Sequence, residues 1–225
     1  MGKLVLGTAA RYAAEPFPSS FCFPSRVLLR YTGRMNSLRD DLQEVLLTEA
    51  QIQQRLDELA AQLQRDYAGK DLTLVPLLTG SVLFVADLLR RLPGPLRLDF
   101  LGVSSYHGQT SSSGDIHITK ALQLNIHDRD VLVVDDILDT GLTLVRVRDL
   151  IVALRPRSLK FCVFLEKEIP HHAEARADYV GFRIPDKFVV GYGLDYQERY
   201  RNLACVGVLK PEITAKAAVD TRRAG

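Results

Sequence analysis

Apolar residues from position 42 onward recur with the spacing of alternating strands and helices. Short apolar runs predict strands, and apolar residues three or four positions apart predict helices. The run Glu44–Leu47 predicts a strand, and Thr48 followed by Gln51 predicts a capping box that opens a helix ending near Tyr67. The other predicted elements are strands at 72–78, 96–103, 130–134, 159–165 and 179–184 and helices at 82–92 and 143–154. This alternation indicates an α/β fold with a mostly parallel twisted sheet flanked by helices.

A polar stretch from Ser104 to Thr119 interrupts the pattern. It contains three consecutive serines and two glycines but few apolar residues. A structureless stretch of this length in a compact domain is more often a functional lid than an accident, and a disordered surface loop is the alternative. The stretch therefore predicts a mobile lid over a binding site.

Charge separates the N-terminal segment from the rest of the chain. The 225 residues include 29 Lys and Arg against 27 Asp and Glu, a net charge of +2. Residues 1–34 hold five basic side chains, one acid and three prolines without periodicity, so the remainder carries −2. We predict a poorly structured extension at 1–38, one domain at 39–210 and a flexible tail at 211–225. Three explanations of this extension stay open. The start codon is assigned in error upstream of a true start at Met35, the segment is a natural flexible arm, or it is a transit peptide.

Apolar content and cysteines narrow the class of protein. No apolar run approaches the roughly 18 residues that a transmembrane helix needs, and we predict neither a secretory signal nor a membrane partner. Cys22, Cys162 and Cys205 cannot pair completely and lack a CxxC spacing, which favours a reducing compartment and a cytoplasmic location. The five histidines form no pattern of metal ligands.

The most informative segment is an apolar strand that runs through a glycine turn into a helix. Residues 131–143 read VLVVDDILDTGLT. The start of such a helix leaves backbone N–H groups unpaired at the positive end of its dipole, where phosphate binds well. Simple capping by Asp139 or Thr140 is the alternative. Capping does not explain Asp135 and Asp136 at the carboxyl end of a strand, where open α/β sheets bind ligands. A magnesium-bound sugar diphosphate satisfies both features.

This segment resembles the signature of type I phosphoribosyltransferases, whereas Walker and dinucleotide motifs are missing from the chain. The resemblance extends over about residues 42–209. Residues 178–196, DYVGFRIPDKFVVGYGLDY, narrow it to the hypoxanthine-guanine phosphoribosyltransferases. It implies a type I phosphoribosyltransferase fold with a small hood. It also implies purine salvage, in which a phosphoribosyl group passes from 5-phosphoribosyl 1-diphosphate to hypoxanthine, and to guanine, giving a nucleoside monophosphate and pyrophosphate with Mg²⁺.

The resemblance implies roles at the sugar diphosphate. Asp135 and Asp136 would contact the ribose hydroxyls directly or through magnesium, and Asp139 would be the catalytic residue that transfers a proton at N7 of the base. Thr79 stands where many relatives carry Lys or Arg, which predicts weaker or differently arranged pyrophosphate binding. The residues assigned to the sugar diphosphate are Leu78, Thr79, Gly80, Ser105, Tyr106, Asp135, Asp136, Asp139, Thr140, Gly141, Leu142, Thr143 and Arg201. Of these, Ser105 and Tyr106 open the lid.

The resemblance also implies a purine site. Lys167 would donate to O6 of the base, Phe188 would stack on it, and the backbone of Val189 would read its 2- and 6-positions. Without the resemblance, Lys167 is an ordinary strand-end lysine and the other two are core residues. Spacing along the chain favours Arg201 over Arg199 as the pyrophosphate arginine. Asp195 completes the purine set, and the predicted magnesium ligands are Asp135, Asp136 and Asp195.

Two other functions stay open. A related transferase could prefer xanthine or a pyrimidine, although Asp139, Lys167 and Phe188 together argue against a pyrimidine. A regulatory protein of this fold could sense the sugar diphosphate and bind RNA or DNA through the basic arm and the Arg155–Arg157 cluster. The net charge of −2 outside the arm argues against nucleic acid as a partner. The sequence does not rank hypoxanthine, guanine and xanthine, and the resemblance implies a homodimer or homotetramer.

Overall fold

The computed structural model describes residues 38–105 and 116–215. These residues all fall into one compact unit, Asn36–Gly225. Most of the predicted extension, the centre of the predicted lid and the last ten residues of the predicted tail lie outside the described residues. Residues 211–215, at the start of that tail, are helical.

Strands and helices alternate as the apolar pattern predicts. A 3-10 helix at Leu38–Asp41 precedes them. The strands are β1 (Leu42–Leu47), β2 (Leu72–Leu78), β3 (Arg97–Leu98), β4 (Leu101–Ser105), β5 (Ile116–Lys120), β6 (Asp130–Leu138), β7 (Ser158–Lys167), β8 (Tyr179–Ile184) and β9 (Val206–Leu209). The helices are α1 (Glu49–Asp66), α2 (Val82–Leu89) and α3 (Leu142–Ala153).

The central sheet has the order β5-β4-β2-β6-β7-β8, with β3 paired beside β2. All its pairings are parallel except that of β5 with β4. The α/β fold class with a mostly parallel sheet is therefore confirmed. Strand β6 extends four residues beyond the predicted end, so Asp135 and Asp136 belong to the strand itself.

Alternate residues of the central strands serve two separate cores. Leu132 and Val134 pack in the core covered by α1 and α2, whereas Val131 and Val133 pack in the core beneath α3. Strand side chains point to opposite faces in turn, and a parallel sheet buried on both faces requires apolar residues at every position. The continuous apolar run of β6 follows from this requirement.

The single strand predicted at 96–103 is wrong in one respect, because Asp99 divides it. The Asp99 carboxylate is buried and accepts hydrogen bonds from Lys120 Nζ and from the backbone of residues 123 and 124. The ladder with β2 continues on both sides, at Leu98 and at Leu101. A buried carboxylate needs such partners, and supplying them bends the chain out of the strand.

The structureless stretch predicted at Ser104–Thr119 is wrong at both of its ends. Ser104 and Ser105 end β4, and residues 116–119 belong to β5, which pairs antiparallel with β4. Strand β5 is an edge strand, and the exposed side chains of His117 and Thr119 show why a polar composition does not prevent pairing there. Residues 106–115, including Tyr106, lie outside the described part of the chain.

A second, two-stranded sheet pairs β1 with β9 antiparallel. Its small core includes Leu42, Tyr200, Leu203 and Leu209. It corresponds to the small hood that the sequence implies. In the described ranges, no helix is long and apolar enough to cross a membrane.

Candidate active site

A cavity of about 480 Å³ opens at the carboxyl edge of β2, β4 and β6. This edge is where parallel sheets gather the side chains of successive loops. The predicted residues that line it are Leu78, Thr79, Gly80, Asp135, Asp136, Asp139, Thr140, Gly141, Thr143, Asp195 and Arg201. Predicted residues from three separate stretches of chain, 78–80, 135–143 and 195–201, therefore converge on one space, as the sequence interpretation requires.

Two adjacent acids form the floor of the cavity at the end of β6. Burial and repulsion from Asp136 raise the pKa of Asp135 well above its ordinary value, and burial also raises the pKa of Asp136. Arg201 acts in the opposite sense on the pKa of Asp136. The pair is thus poorly compensated by protein groups, which suits carboxylates that receive hydroxyls or a cation from a ligand.

Position 80 requires glycine because its backbone lies too close to one of these acids to leave room for a side chain. A Cβ atom at Gly80 would lie 1.6 Å from Asp136 Oδ2, and one at Gly193 would lie 2.0 Å from the Gly80 carbonyl oxygen. The peptide bond between Leu78 and Thr79 is cis. The turn after β2 therefore places its backbone, rather than side chains, against the acidic pair.

The turn between β6 and α3 leaves the start of the helix open. Gly141 is the N-cap residue, with φ of +88°, and as a glycine it has no side chain with which to cap the helix. A Cβ at Gly141 would also meet Ala175 Cβ at 2.3 Å. The capping position thus falls on Gly141 rather than on Asp139 or Thr140, and the start of α3, whose first N–H groups lack partners within the helix, lies at the cavity, where an anion binds well.

Arg201 is held on the opposite wall by two carboxylates. Its Nη2 atom lies 2.7 Å from Asp195 Oδ1 and 3.1 Å from Glu198 Oε2, and its Nη1 donates to the Gly193 carbonyl at 2.8 Å. Among the described lining residues, Arg201 is the one cationic side chain, and Arg199 does not line the cavity. Glu198 was not predicted, since nothing in its spacing separates it from an exposed turn residue.

Lys167 joins the site through Asp139. Its Nζ donates to Asp139 Oδ2 at 3.2 Å and to Asp186 Oδ1 at 3.1 Å. Partial burial alone would lower the pKa of Lys167, but the hydrogen bonds to Asp186 and Asp139 outweigh it and raise the pKa. The ammonium group therefore stays charged beside the catalytic candidate.

The remaining purine candidates lie beyond the cavity. Phe188 is 57% exposed and meets Tyr196 edge-on at 5.7 Å between ring centroids, so one face of its ring is available for stacking. Val189 is buried, which leaves only its backbone for recognition. Both observations agree with the implied roles without testing them.

The loop after β7 contacts the backbone of the turn between β6 and α3. The ring of His171 contacts the Asp139 carbonyl oxygen, and His172 N donates to the Thr140 carbonyl at 2.8 Å. His171 Nε2 also lies 3.9 Å from Glu166 Oε1. The sequence alone assigned no role to these histidines, because their relation to the turn is formed by chain segments about 30 residues apart.

Some predicted residues are not brought to the cavity. Leu142 is the first residue of α3, with a side chain that is 46% exposed and does not line the space. Only the backbone of Ser105 is described, at the end of β4.

Within the described ranges no group of three or more His, Cys, Asp or Glu side chains could hold a metal ion.

Comparison with known proteins extends over most of the chain. Residues 43–197 match the family of the phosphoribosyl transferase domain. A hypoxanthine-guanine phosphoribosyltransferase of Staphylococcus aureus is 49% identical over 176 residues, which cover 78% of this chain and 98% of that protein.

Solved structures agree with this match. A hypoxanthine phosphoribosyltransferase from Staphylococcus aureus superposes with a TM-score of 0.76 at 49% identity, covering 80% of this chain and 98% of that one. A hypoxanthine phosphoribosyl transferase from Trypanosoma cruzi gives a TM-score of 0.75 at 37% identity, covering 80% of this chain and 97% of that one. The type I phosphoribosyltransferase fold expected from the sequence is thereby confirmed.

Proposed function

The chain belongs to the phosphoribosyl transferase family, and on that premise we propose that it is a hypoxanthine-guanine phosphoribosyltransferase of purine salvage. It transfers the 5-phosphoribosyl group of 5-phosphoribosyl 1-diphosphate to hypoxanthine or guanine and releases pyrophosphate. The observation that carries the proposal is the convergence of the glycine turn, the acidic pair and Asp139 in one cavity. The close match to relatives of this name over nearly their whole length supports it.

The geometry suggests how the substrates lie. The 5′-phosphate would bind at the turn 139–143, where the start of α3 offers free N–H groups. The ribose hydroxyls would meet Asp135 and Asp136, and the diphosphate would lie between the Gly80 turn and Arg201. The purine would then sit between Phe188 and Lys167. The first three positions follow the residues that line the cavity, and the purine position follows from the hydrogen bond between Lys167 and Asp139.

The reaction forms a bond between N9 of the purine and C1 of the ribose and breaks the bond from C1 to the diphosphate. The base must lose a proton as its nitrogen attacks, and Asp139 can accept one at N7, since its side chain is half exposed toward the site. Arg201 stabilises the charge that develops on the departing diphosphate. Closure of the lid would exclude water from the reacting carbon.

Magnesium is the cofactor of this proposal. Mg²⁺ is usually held by one or two carboxylates together with substrate phosphates, rather than by an all-protein cage. Asp135 and Asp136 line one wall of the cavity and Asp195 lines the opposite wall, so each wall can supply a carboxylate to an ion that also binds the substrate phosphates. When bound, the ion would neutralise charge on the diphosphate. No further protein ligand is needed.

Location and assembly are also part of the proposal. Cys162 and Cys205 are buried free thiols, which agrees with a reducing cytoplasm. A homodimer or homotetramer is expected from the family resemblance, and small molecules rather than nucleic acids are the expected partners.

Nucleotide formation tests the proposal directly. The purified chain is incubated with the sugar diphosphate, Mg²⁺ and hypoxanthine, guanine or xanthine in parallel, and the nucleoside monophosphates are separated and quantified. We expect IMP and GMP with stoichiometric pyrophosphate. A preference for xanthine would correct the base, and no product from any 6-oxopurine, with salt-sensitive RNA binding instead, would overturn the proposal.

A further inference from the structure

A largely buried lysine lies between two carboxylates at the purine end of the site. The Lys167 side chain is 12% exposed, whereas those of its partners Asp139 and Asp186 are 50% and 63% exposed. Its Nζ atom is 3.2 Å from the Asp139 carboxylate and 3.1 Å from that of Asp186. A charge with so little access to water depends on its partners for compensation.

The sheet fixes the second of these partners. Lys167 ends β7 and is the register partner of Ile184, the last residue of the neighbouring strand β8. Asp186 follows only two residues later. The parallel pairing therefore brings the Asp186 carboxylate beside Lys167 independently of the turn that carries Asp139.

The two carboxylates cannot play equal parts during the reaction. An ammonium group has three N–H donors, so two bonds to carboxylates leave one donor for a ligand oxygen. Asp139 loses its charge when it accepts the proton of the base, and its hold on Lys167 then weakens. Asp186 accepts no proton from the base, so its bond to Lys167 does not depend on the progress of the reaction.

We propose that Asp186 is a positioning residue that holds Lys167 Nζ in place to donate to the exocyclic oxygen of a 6-oxopurine. This inference rests on the proposed function. Without Asp186, the ammonium group would turn toward Asp139 and lose its alignment with the base. The defect should fall on binding of the purine and spare the sugar diphosphate, which contacts the other side of the cavity.

A neighbouring ion pair provides a matched control. Lys187 Nζ lies 2.5 Å from Glu44 Oε2 and ties the same segment of chain to β1. Glu44 does not touch Lys167 or the cavity. The variant Glu44→Gln therefore removes an anchor of the segment while leaving the lysine and its two carboxylates in place.

The experiment is steady-state kinetics of the full chain with Mg²⁺, varying hypoxanthine and the sugar diphosphate in turn. We expect Asp186→Asn to raise KM for hypoxanthine about fivefold, the upper range for one partly exposed ion pair. KM for the sugar diphosphate should be unchanged, Asp186→Glu should restore most of the affinity for hypoxanthine, and Glu44→Gln should behave as wild type.

Three results would overturn the inference: an unchanged KM for hypoxanthine in Asp186→Asn, an equal rise in both KM values, or the same rise in Glu44→Gln. Thermal unfolding of each variant shows whether the fold is intact, and the kinetics of all variants are measured below the unfolding midpoint of Asp186→Asn. Absence of product from the wild-type chain would overturn the proposed function itself, so the two failures are distinguishable.

Discussion

The geometry of the site depends on single residues at points where two chain segments pack closely together. Gly80 is such a residue because the carboxylate of Asp136 occupies the volume that any side chain would need. Asp139 is another, because Lys167 donates to its exposed carboxylate while the ring of His171 contacts its backbone carbonyl oxygen. Each leads to a prediction that one substitution tests.

We expect Gly80→Ala to lower kcat/KM for the sugar diphosphate on the order of 10²-fold, because displacing a binding group by about 1 Å has that effect. The added Cβ would meet Asp136 Oδ2 at 1.6 Å and force the carboxylate away. Gly94→Ala is the control, since nothing lies within 4 Å of its added Cβ. Wild-type kcat/KM in Gly80→Ala would contradict the packing described here.

We expect Asp139→Asn to lower kcat on the order of 10²-fold or more, as loss of a general acid or base typically does. The sugar diphosphate should still bind, because the proposed phosphate contacts are made by the backbone of the turn rather than by the Asp139 side chain. Asp149→Asn, an exposed acid on α3, is the control. Single-turnover rates and equilibrium binding of the sugar diphosphate check both parts, and a wild-type rate would remove the proposed role.

Secondary-structure elements were predictable where their determinants are local. The capping box of Thr48 and Gln51 is present as predicted, and α1 ends within one residue of its predicted end. Strand β5 was missed because its formation depends on pairing with β4 rather than on its own residues. The break at Asp99 was missed for a similar reason, since its hydrogen-bond donors come from residues 120–124.

The Asp99 carboxylate thus binds the C-terminal end of β5 and the residues that follow it. We expect Asp99→Asn to lower the free energy of unfolding by about 1–3 kcal/mol. The buried carboxylate accepts from Lys120 Nζ at 2.9 Å and from Leu124 N at 2.8 Å, and an amide cannot accept in every one of these places. Urea denaturation at pH 7 measures the loss. Asp57, an exposed acid in a surface ion pair, is the control. Asp57→Asn should change the free energy of unfolding by less than about 1 kcal/mol.

The same group gives a pH dependence with a definite sign. Burial opposes ionisation of Asp99, but the hydrogen bonds from Leu124 and Lys120 prevail, and the pKa of Asp99 in the folded protein is lowered. Its contribution is therefore complete above the unfolded pKa of about 3.9 and is lost as the pH falls through the folded value. The difference in unfolding free energy between wild type and Asp99→Asn should shrink below about pH 4. A constant difference down to pH 2.5 would contradict this sign.

The whole molecule comprises a unit that carries the site and an N-terminal segment that supplies the excess of positive charge. No residue assigned to the cavity precedes Leu77. The family match begins at residue 43. The net charge of +2 is therefore no guide to the partners of the domain itself.

We expect deletion of residues 1–34 to leave the midpoint of thermal unfolding and kcat/KM unchanged while shifting the net charge from +2 to −2. The physical reason is that all the cores described here are built from residues after 37. Calorimetry and the nucleotide assay check the two parts, with the full chain as reference. A fall in either quantity would show that the segment supports the domain. If the mass of the natural protein equals that of a chain starting at Met1, Met35 is excluded as the start.

The sequence by itself determined the fold class, the order of most elements and the glycine turn between β6 and α3. These depend on apolar periodicity and on short motifs such as residues 131–143, in which neighbours along the chain are also neighbours in space. Only the tertiary structure decided what meets across the cavity. The contacts of Gly80 with Asp136 and with Gly193 and the bridge from Asp139 to Asp186 each join distant segments, and their geometry is set by strand register and packing rather than by local pattern.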